Sequence, residues 1–481
     1  MKNSTPFLKP FGSLLCGRKP AKRVLEEGGL GELYEVFQAL VAQSFFQRPE
    51  RGTNSRQRVL PPEVTFWAFV SQALSPGSAC REVVRKLDAW WHWSGLDAPL
   101  SVSESGYCQA RKRLGKDTLE LIFQHLGHTL ERNVLQVERP ICERSVKIID
   151  GTMLSMPDTA ANQKLWPQNP EQKPGLGFPL LKLVGVFSLQ SGALLDYATG
   201  SLYQHESTLF RSLWPRLSEG DILLGDRAFC SYSSMAALGQ RGVDCVWRLH
   251  HARKIDFRKG TRLGHDDRLV EWVKPSQRPP GLPPEDYAAL PATLAVRMIR
   301  QSVQAPGARA RSVTIVTTLT DAEAYPVDTL RELYLRRWQV ELHFAQIKTT
   351  LELDILRCKS PAMIEKELLV HLIAYNLIRG LMQQSAHHYH RELGRISFKG
   401  TMDTVRHFAR PIHLARNRPA EAKKLVTQML ETIAFDPVPE RPGRNEPRAQ
   451  KRRPKTFNLL TKPRHQMKVR SHRNRPKSFR A

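Results

Sequence analysis

The sequence predicts an α/β protein in which a mixed sheet with flanking helices is preceded by an all-α module, interrupted by a β-rich insertion and followed by a basic tail. Three observations carry this. Apolar residues recur at helical spacing through 59–140, and short β-rich runs, two of them closed by an aspartate, dominate 141–250. Helical periodicity then returns over 322–436, after a polar, Pro- and Gly-rich interval at 251–321.

The charge narrows the partner before any motif is read. Seventy-three Lys+Arg against 46 Asp+Glu give +27 over 481 residues. Residues 441–481 hold fifteen Lys/Arg and one acid, so the tail supplies +14 and the other 440 residues keep +13. A surplus spread in this way points to a polyanion, neutralised through its phosphates, and nucleic acid is the leading candidate. The seven cysteines are scattered singly without zinc-ligand spacing, which fits a reducing cytoplasm. No stretch approaches the length of a membrane span and the N-terminus lacks an apolar leader, so a soluble, unexported protein is expected, with no membrane partner.

Residues 1–58 read as a basic N-terminal segment with one helix over Leu30–Phe46 and a linker, RPERGTNSRQR. In 59–140 helices are expected on VTFWAFVSQAL, CREVVRKLDAWW, SESGYCQARKRL and DTLELIFQHLGHTL. Ser103 is placed to cap the third. That helix carries Gln109, Arg111, Lys112 and Arg113 as a groove-entering helix would, although a solvated basic face explains them equally well. On charge and pattern, 59–140 is read as a helical DNA-binding module.

Strands are expected at VKIID (146–150), LLKLVGVFSL (180–189), ALLDYATGSL (193–202), DILLGD (221–226) and VDCVWRLH (243–250). Helices at Glu206–Leu217 and Tyr232–Gln240 separate the last three. The order β-β-β-α-β-α-β is that of a ribonuclease H-like core, whose first part is 141–250 and whose second is 322–436. The insertion, 251–321, shows two β-like runs, LAVRMIR and SVTIVTTL. Beyond it, helices are expected at 328–352, 361–385 and 402–434, and the Pro/Arg-rich tail, 437–481, should stay disordered until it meets DNA.

Carboxylates at strand ends sit at the rim of an α/β sheet, where chemistry is accessible. Asp150 closes VKII and Asp226 closes ILLG, each before turn-favouring residues. Either alone is readable as a turn aspartate; the two together point to a site. Between Asp328 and Leu353 an amphipathic helix carries Tyr334, Arg337, Glu341 and Lys348, which on an ideal helix fall within about 60° of one another. A core-edge Tyr334 and an i,i+4 pair of Arg337 with Glu341 would leave the same pattern. Glu206, in YQHEST, reads as a helix-N-terminal acid or an extra carboxylate, the former preferred, and His265-Asp266-Asp267 as a polar loop.

The spacing Tyr334-x2-Arg337-x3-Glu341-x6-Lys348 resembles the YREK signature of the DDE-type insertion-sequence transposases of the IS-four family, and the likeness extends through YCQARKRL, IIDGT, GDRAF and AYNLIRG. That resemblance implies a ribonuclease H-like catalytic core that cleaves DNA at insertion-sequence ends and transfers the strands to a target. Asp150, Asp226 and Glu341 would be the catalytic metal ligands for two Mg²⁺ ions, with Mn²⁺ able to substitute; Asp150 would bridge them. Tyr334, Arg337 and Lys348 would grip the DNA end. The partners implied are the terminal inverted repeats, target DNA and a second copy in a homodimeric synaptic complex in the bacterial cytoplasm, at the nucleoid. In relatives with a β insertion, an aromatic of the insertion can stack on a flipped base; Trp272, with Trp247 behind it, is the candidate by position, but a core place for a strand Trp is preferred. Two other readings share these residues: a metal-dependent nuclease that never joins strands, and a non-catalytic DNA-binding protein derived from a transposase.

Overall fold

The computed structural model describes residues 31–47, 59–93, 102–135, 143–250, 253, 256–302, 312–439, 459–463 and 466–467. Most of segment 1–58 and of the basic tail therefore lies outside the described residues. The helical stretch expected at Leu30–Phe46 divides into α1 (Gly31–Phe37) and a 3₁₀ turn at Gln43–Phe46. Phe37 lies flat on Trp67, ring centroids 6.2 Å apart.

The four helices expected next are present as α2 (Pro62–Ala73), α3 (Cys80–Trp93), α4 (Glu104–Arg113) and α5 (Lys116–Leu135). Ser103 caps α4, its Oγ accepting from the Gly106 N–H at 3.0 Å. Arg111 turns inward. Only 8% exposed, its guanidinium lies over the rings of Phe69 (4.9 Å) and Tyr107 (5.1 Å), so it packs within the helical module. Gln109 and Lys112 stay exposed on the same helix.

The sheet contains β1 (Val146–Ser155), β2 (Leu180–Ser188), β3 (Leu194–Ser201), β4 (Ile222–Gly225) and β5 (Asp244–Arg248), with α6 (Ala160–Leu165) after β1, α7 (Glu206–Leu213) before β4 and α8 (Tyr232–Gly239) before β5. β1 pairs antiparallel with β2 and parallel with β4, and β4 parallel with β5, the ribonuclease H-like arrangement. The insertion supplies β6 (Thr261–Gly264), β7 (Asp267–Val273), α9 (Pro284–Ala288), β8 (Thr293–Ser302) and β9 (Ser312–Thr317). It extends the same sheet, since β9 returns antiparallel onto β5, giving nine strands in the order β3-β2-β1-β4-β5-β9-β8-β7-β6.

Two of these strands, β6 and β7, go beyond the pair of runs expected in the insertion. Their polar sequence hid them, because Arg262, Arg268 and Glu271 break the apolar alternation on which a strand is recognised. His265 and Asp266 form the hairpin turn, but Asp267 has left the loop: it is 3% exposed and takes the Arg297 guanidinium through Nε (2.9 Å) and Nη2 (2.6 Å). Removing one partner of such a buried pair leaves the other charge desolvated and alone. Asp267→Ala is expected to lose about 3 kcal/mol of stability, read as a lower denaturant midpoint at unchanged slope; a change within a few tenths of a kcal/mol would refute the assignment.

After the insertion come α10 (Val327–Leu335), a 3₁₀ turn at Arg336–Trp338, α11 (Gln339–Ala345) and a π turn at Gln346–Thr350, in place of one regular helix over 328–352. α12 (Pro361–His388) is buried along most of its length. Asn376 pins it to the sheet, accepting from the Leu194 N–H and donating to the Leu194 carbonyl, both at 2.9 Å. The expected helix over 402–434 is two, α13 (Phe398–Leu414) and α14 (Pro419–Ala434), because Pro419 has no N–H to continue the ladder and so starts a helix instead.

Apolar side chains of α2 to α5 merge with one face of the sheet and α12 in a single cluster, which includes Ile148, Leu183 and Phe187. A second cluster, on the other face, joins Ile149 and Val184 to α7, α8 and the insertion.

Candidate active site

β1 is longer than the sequence suggests. It pairs with β4 only as far as Ile148↔Leu224, yet continues to Ser155. Asp150 thus lies beyond the last β1–β4 pair, and Asp226 follows the end of β4 directly. Gly225 permits close packing there: a Cβ would come 3.0 Å from the Trp247 ring and 3.2 Å from Ile149. The Phe229 N–H bonds to the Asp226 carbonyl and turns the chain away.

On the face shared by Ile148 and Asp150, α11 packs across β1 and β2. His343 stacks on Phe187 (centroids 5.4 Å apart, planes at 18°), and burial holds this imidazole neutral, its pKa lowered to about 3. The stack brings Arg337 and Glu341 over Asp150. Arg337, 5% exposed, stands 3.9 Å from Asp150 Oδ2 through Nη1 and 3.7 Å from Glu341 Oε1 through Nη2. The rings of Tyr334 and Trp338 flank its guanidinium at 5.9 and 5.1 Å.

The ideal-helix stripe does not survive intact. Tyr334 and Arg337 are buried, Glu341 is exposed, and the π turn alters the phase before Lys348. Lys348 nevertheless reaches the site, its Nζ donating to Thr152 Oγ1 at 3.1 Å. Thr152 and Trp338 are the neighbours the sequence did not single out. Thr152 was in view as the last residue of IIDGT; Trp338 had only its place beside Arg337.

Trp272 and Trp247 are core residues, as preferred. Trp247 is fully buried, and Trp272, 8% exposed, is covered by the Arg253 guanidinium 3.8 Å from its ring centroid.

Burial, more than any neighbouring charge, sets the electrostatics of the centre. Burial raises the Asp150 carboxyl to about 6, Asp226 and Glu206 push it the same way, and the Gly151 N–H (2.8 Å to Oδ1) and Arg337 oppose them. Burial likewise pushes the Tyr334 phenol up to about 12. Asp226 Oδ1 is buried with no hydrogen-bond partner among the described residues. Hard carboxylate oxygens, one of them orphaned, suit a divalent ion of the Mg²⁺ type. As they stand, no three His, Cys, Asp or Glu side chains among the described residues are grouped to hold an ion, and the Arg337 guanidinium is the cation between Asp150 and Glu341.

Comparison with known proteins gives concordant matches. The family profile for a transposase DDE domain matches residues 141–377, and that for the N-terminal part of insertion element 4 transposases matches 27–124. The chain is 27% identical over 412 residues to the transposase InsG for insertion sequence element IS4 of Escherichia coli strain K12, covering 84% of this chain and 88% of that protein. It is 32% identical over 83 residues to the transposase for insertion sequence element IS421 of Escherichia coli, covering 17% and 22% respectively. Among solved structures, a piggyBac transposase synaptic complex with hairpin DNA aligns over 88% of this chain and 84% of that one, at 10% identity and a TM-score of 0.40.

Proposed function

The chain belongs to the IS4 family of DDE transposases, and from that premise we propose that Asp150, Asp226 and Glu341 are its catalytic carboxylates, each a ligand of one or both of two divalent ions. As a transposase it cuts DNA at insertion-sequence ends and transfers the strands to a target. The observation that best supports the residue assignment is the buried Arg337 guanidinium within 4 Å of both Asp150 and Glu341, together with an Asp226 oxygen that has no hydrogen-bond partner among the described residues.

Mg²⁺, or Mn²⁺ in its place, would supply an activated oxygen nucleophile and charge stabilisation at the leaving oxygen. The protein's part is to place and polarise. Asp150 lies on a paired strand and Asp226 just past the end of another, so the sheet places both backbones at its rim. Glu341, with its side chain 51% exposed and, among the described residues, only a long contact to Arg337, can turn towards an ion. Arg337, flanked by Tyr334 and Trp338, balances the carboxylates and offers a planar donor to a phosphate. Lys348 offers a point charge held in place by Thr152. Terminal inverted repeats and target DNA are the substrates on this reading. A homodimer holding the two ends would work in the cytoplasm, at the nucleoid, and among the described residues no helix is long and apolar enough to cross a membrane.

Replacing any one of the three carboxylates by its amide should yield a protein that binds ends in Mg²⁺ without cutting them; a wild-type cutting rate in any of the three removes that residue from the assignment. Lys348→Ala should instead weaken end binding and reduce the slope of log affinity against log salt by ~1, with cutting recoverable at high protein concentration. An unchanged slope, measured by titration across salt concentrations, would mean that Lys348 touches no phosphate.

A further inference from the structure

The geometry points to Glu206 as a fourth carboxylate of this site, approaching the divalent-ion position from the face of the sheet opposite α11. The inference rests on the carboxylate assignment above. Side chains alternate along a strand, so Asp150 shares the α11 face with Ile148, whereas Gly151 shares the α7 face with Ile149. Glu206 opens α7, and its carboxylate lies directly against Gly151: a Cβ there would come 3.1 Å from Oε1 and 3.2 Å from Cδ. The glycine thus makes room for an acid immediately beside Asp150.

An acid in the first turn of a helix has an ordinary reason to be there, the positive end of the helix dipole. That reason calls for no glycine beneath it and does not turn the carboxylate towards another acid. Among the described residues no hydrogen bond or ion pair occupies Glu206, and its charge acts on Asp150. β1 has no β4 partner beyond Ile148, so at this point the two faces of the sheet meet along an open edge. Glu206, already against Gly151 at this edge, would join Asp150 and Asp226 in holding a divalent ion.

The test is titration of the full-length protein, without DNA, with Mn²⁺ in a calorimeter, alongside Glu206→Gln and Asp226→Asn. Glu206→Gln keeps size and shape, and its melting temperature without metal verifies that it folds. The expected result is an affinity about 10- to 100-fold weaker for Glu206→Gln, with a correspondingly smaller rise in melting temperature on adding Mn²⁺. Wild-type affinity in Glu206→Gln combined with loss in Asp226→Asn overturns the role of Glu206 and leaves the three-carboxylate reading standing. Wild-type affinity in both variants overturns that reading and the inference with it. Gly151→Ala, which crowds Glu206 while retaining Asp150, provides a second variant: Mn²⁺ affinity equal to wild type there also counts against the proposal.

Discussion

Glu341→Ala is expected to leave a folded protein that holds the ends of its element but neither cuts nor joins them. One carboxylate adds little attraction to a polyanion, so end affinity should stay within about twofold of wild type. Cleavage should fall by a factor on the order of 10³ or more, the equivalent of the several kcal/mol of charge stabilisation that a correctly held metal provides. Glu341 is exposed and its contact with Arg337 is long, so the substitution opens no cavity. A melting temperature near that of wild type should accompany the loss. The measurement is single-turnover cutting of labelled ends in Mg²⁺ with binding followed in parallel; cutting at the wild-type rate would falsify the mechanism.

Asp150→Asn should have two effects of opposite sign. Cutting should be lost as completely as in Glu341→Ala. The metal-free protein should, however, become more stable at neutral pH, because the folded state holds the Asp150 carboxyl up at about 6, mainly by burial. A carboxyl raised in the folded state favours folding while protonated, and that contribution fades as pH rises through about 6. Above that pH the ionised, buried group opposes folding by an amount on the order of 2 kcal/mol, which asparagine removes. Denaturation at pH 5 and pH 8 with a chelator present should show a gap between variant and wild type that opens with pH. A gap that closes as pH rises would contradict the sign.

Much of this was legible in the sequence, for reasons that can be named. Asp150 and Asp226 were visible because apolar runs ending in an acid and a turn mark the rim of a sheet. Tyr334, Arg337, Glu341 and Lys348 were visible because their spacing repeats a known signature. The internal shape of their helix was not: a 3₁₀ turn and a π turn leave the order of residues unchanged, and ideal geometry averages over them. β6 and β7 were missed because their polar outer residues break the alternation that identifies a strand. The relation of Glu206 to Gly151 was missed because 55 positions separate them in sequence, and only the packing of α7 against the sheet brings them together.

The return of β9 onto β5 has a consequence for how this chain tolerates change. The path leaves the sheet after Arg248 and re-enters beside it, Ile315 being the register partner of Arg248, so departure and arrival are one strand spacing apart, about 4.8 Å. Residues added at the outer strands β6 and β7 would leave that neck where it is, whereas Leu282, Leu290, Val296 and Met298 are built into the core with α7 and α8 and are not free to vary. Asp226 and Glu341 stand 115 residues apart along the chain, yet the loop between them is closed at its neck, so the distance that matters is insulated from the contour length that does not. The length of the insertion and the spacing of Asp226 and Glu341 can therefore change independently.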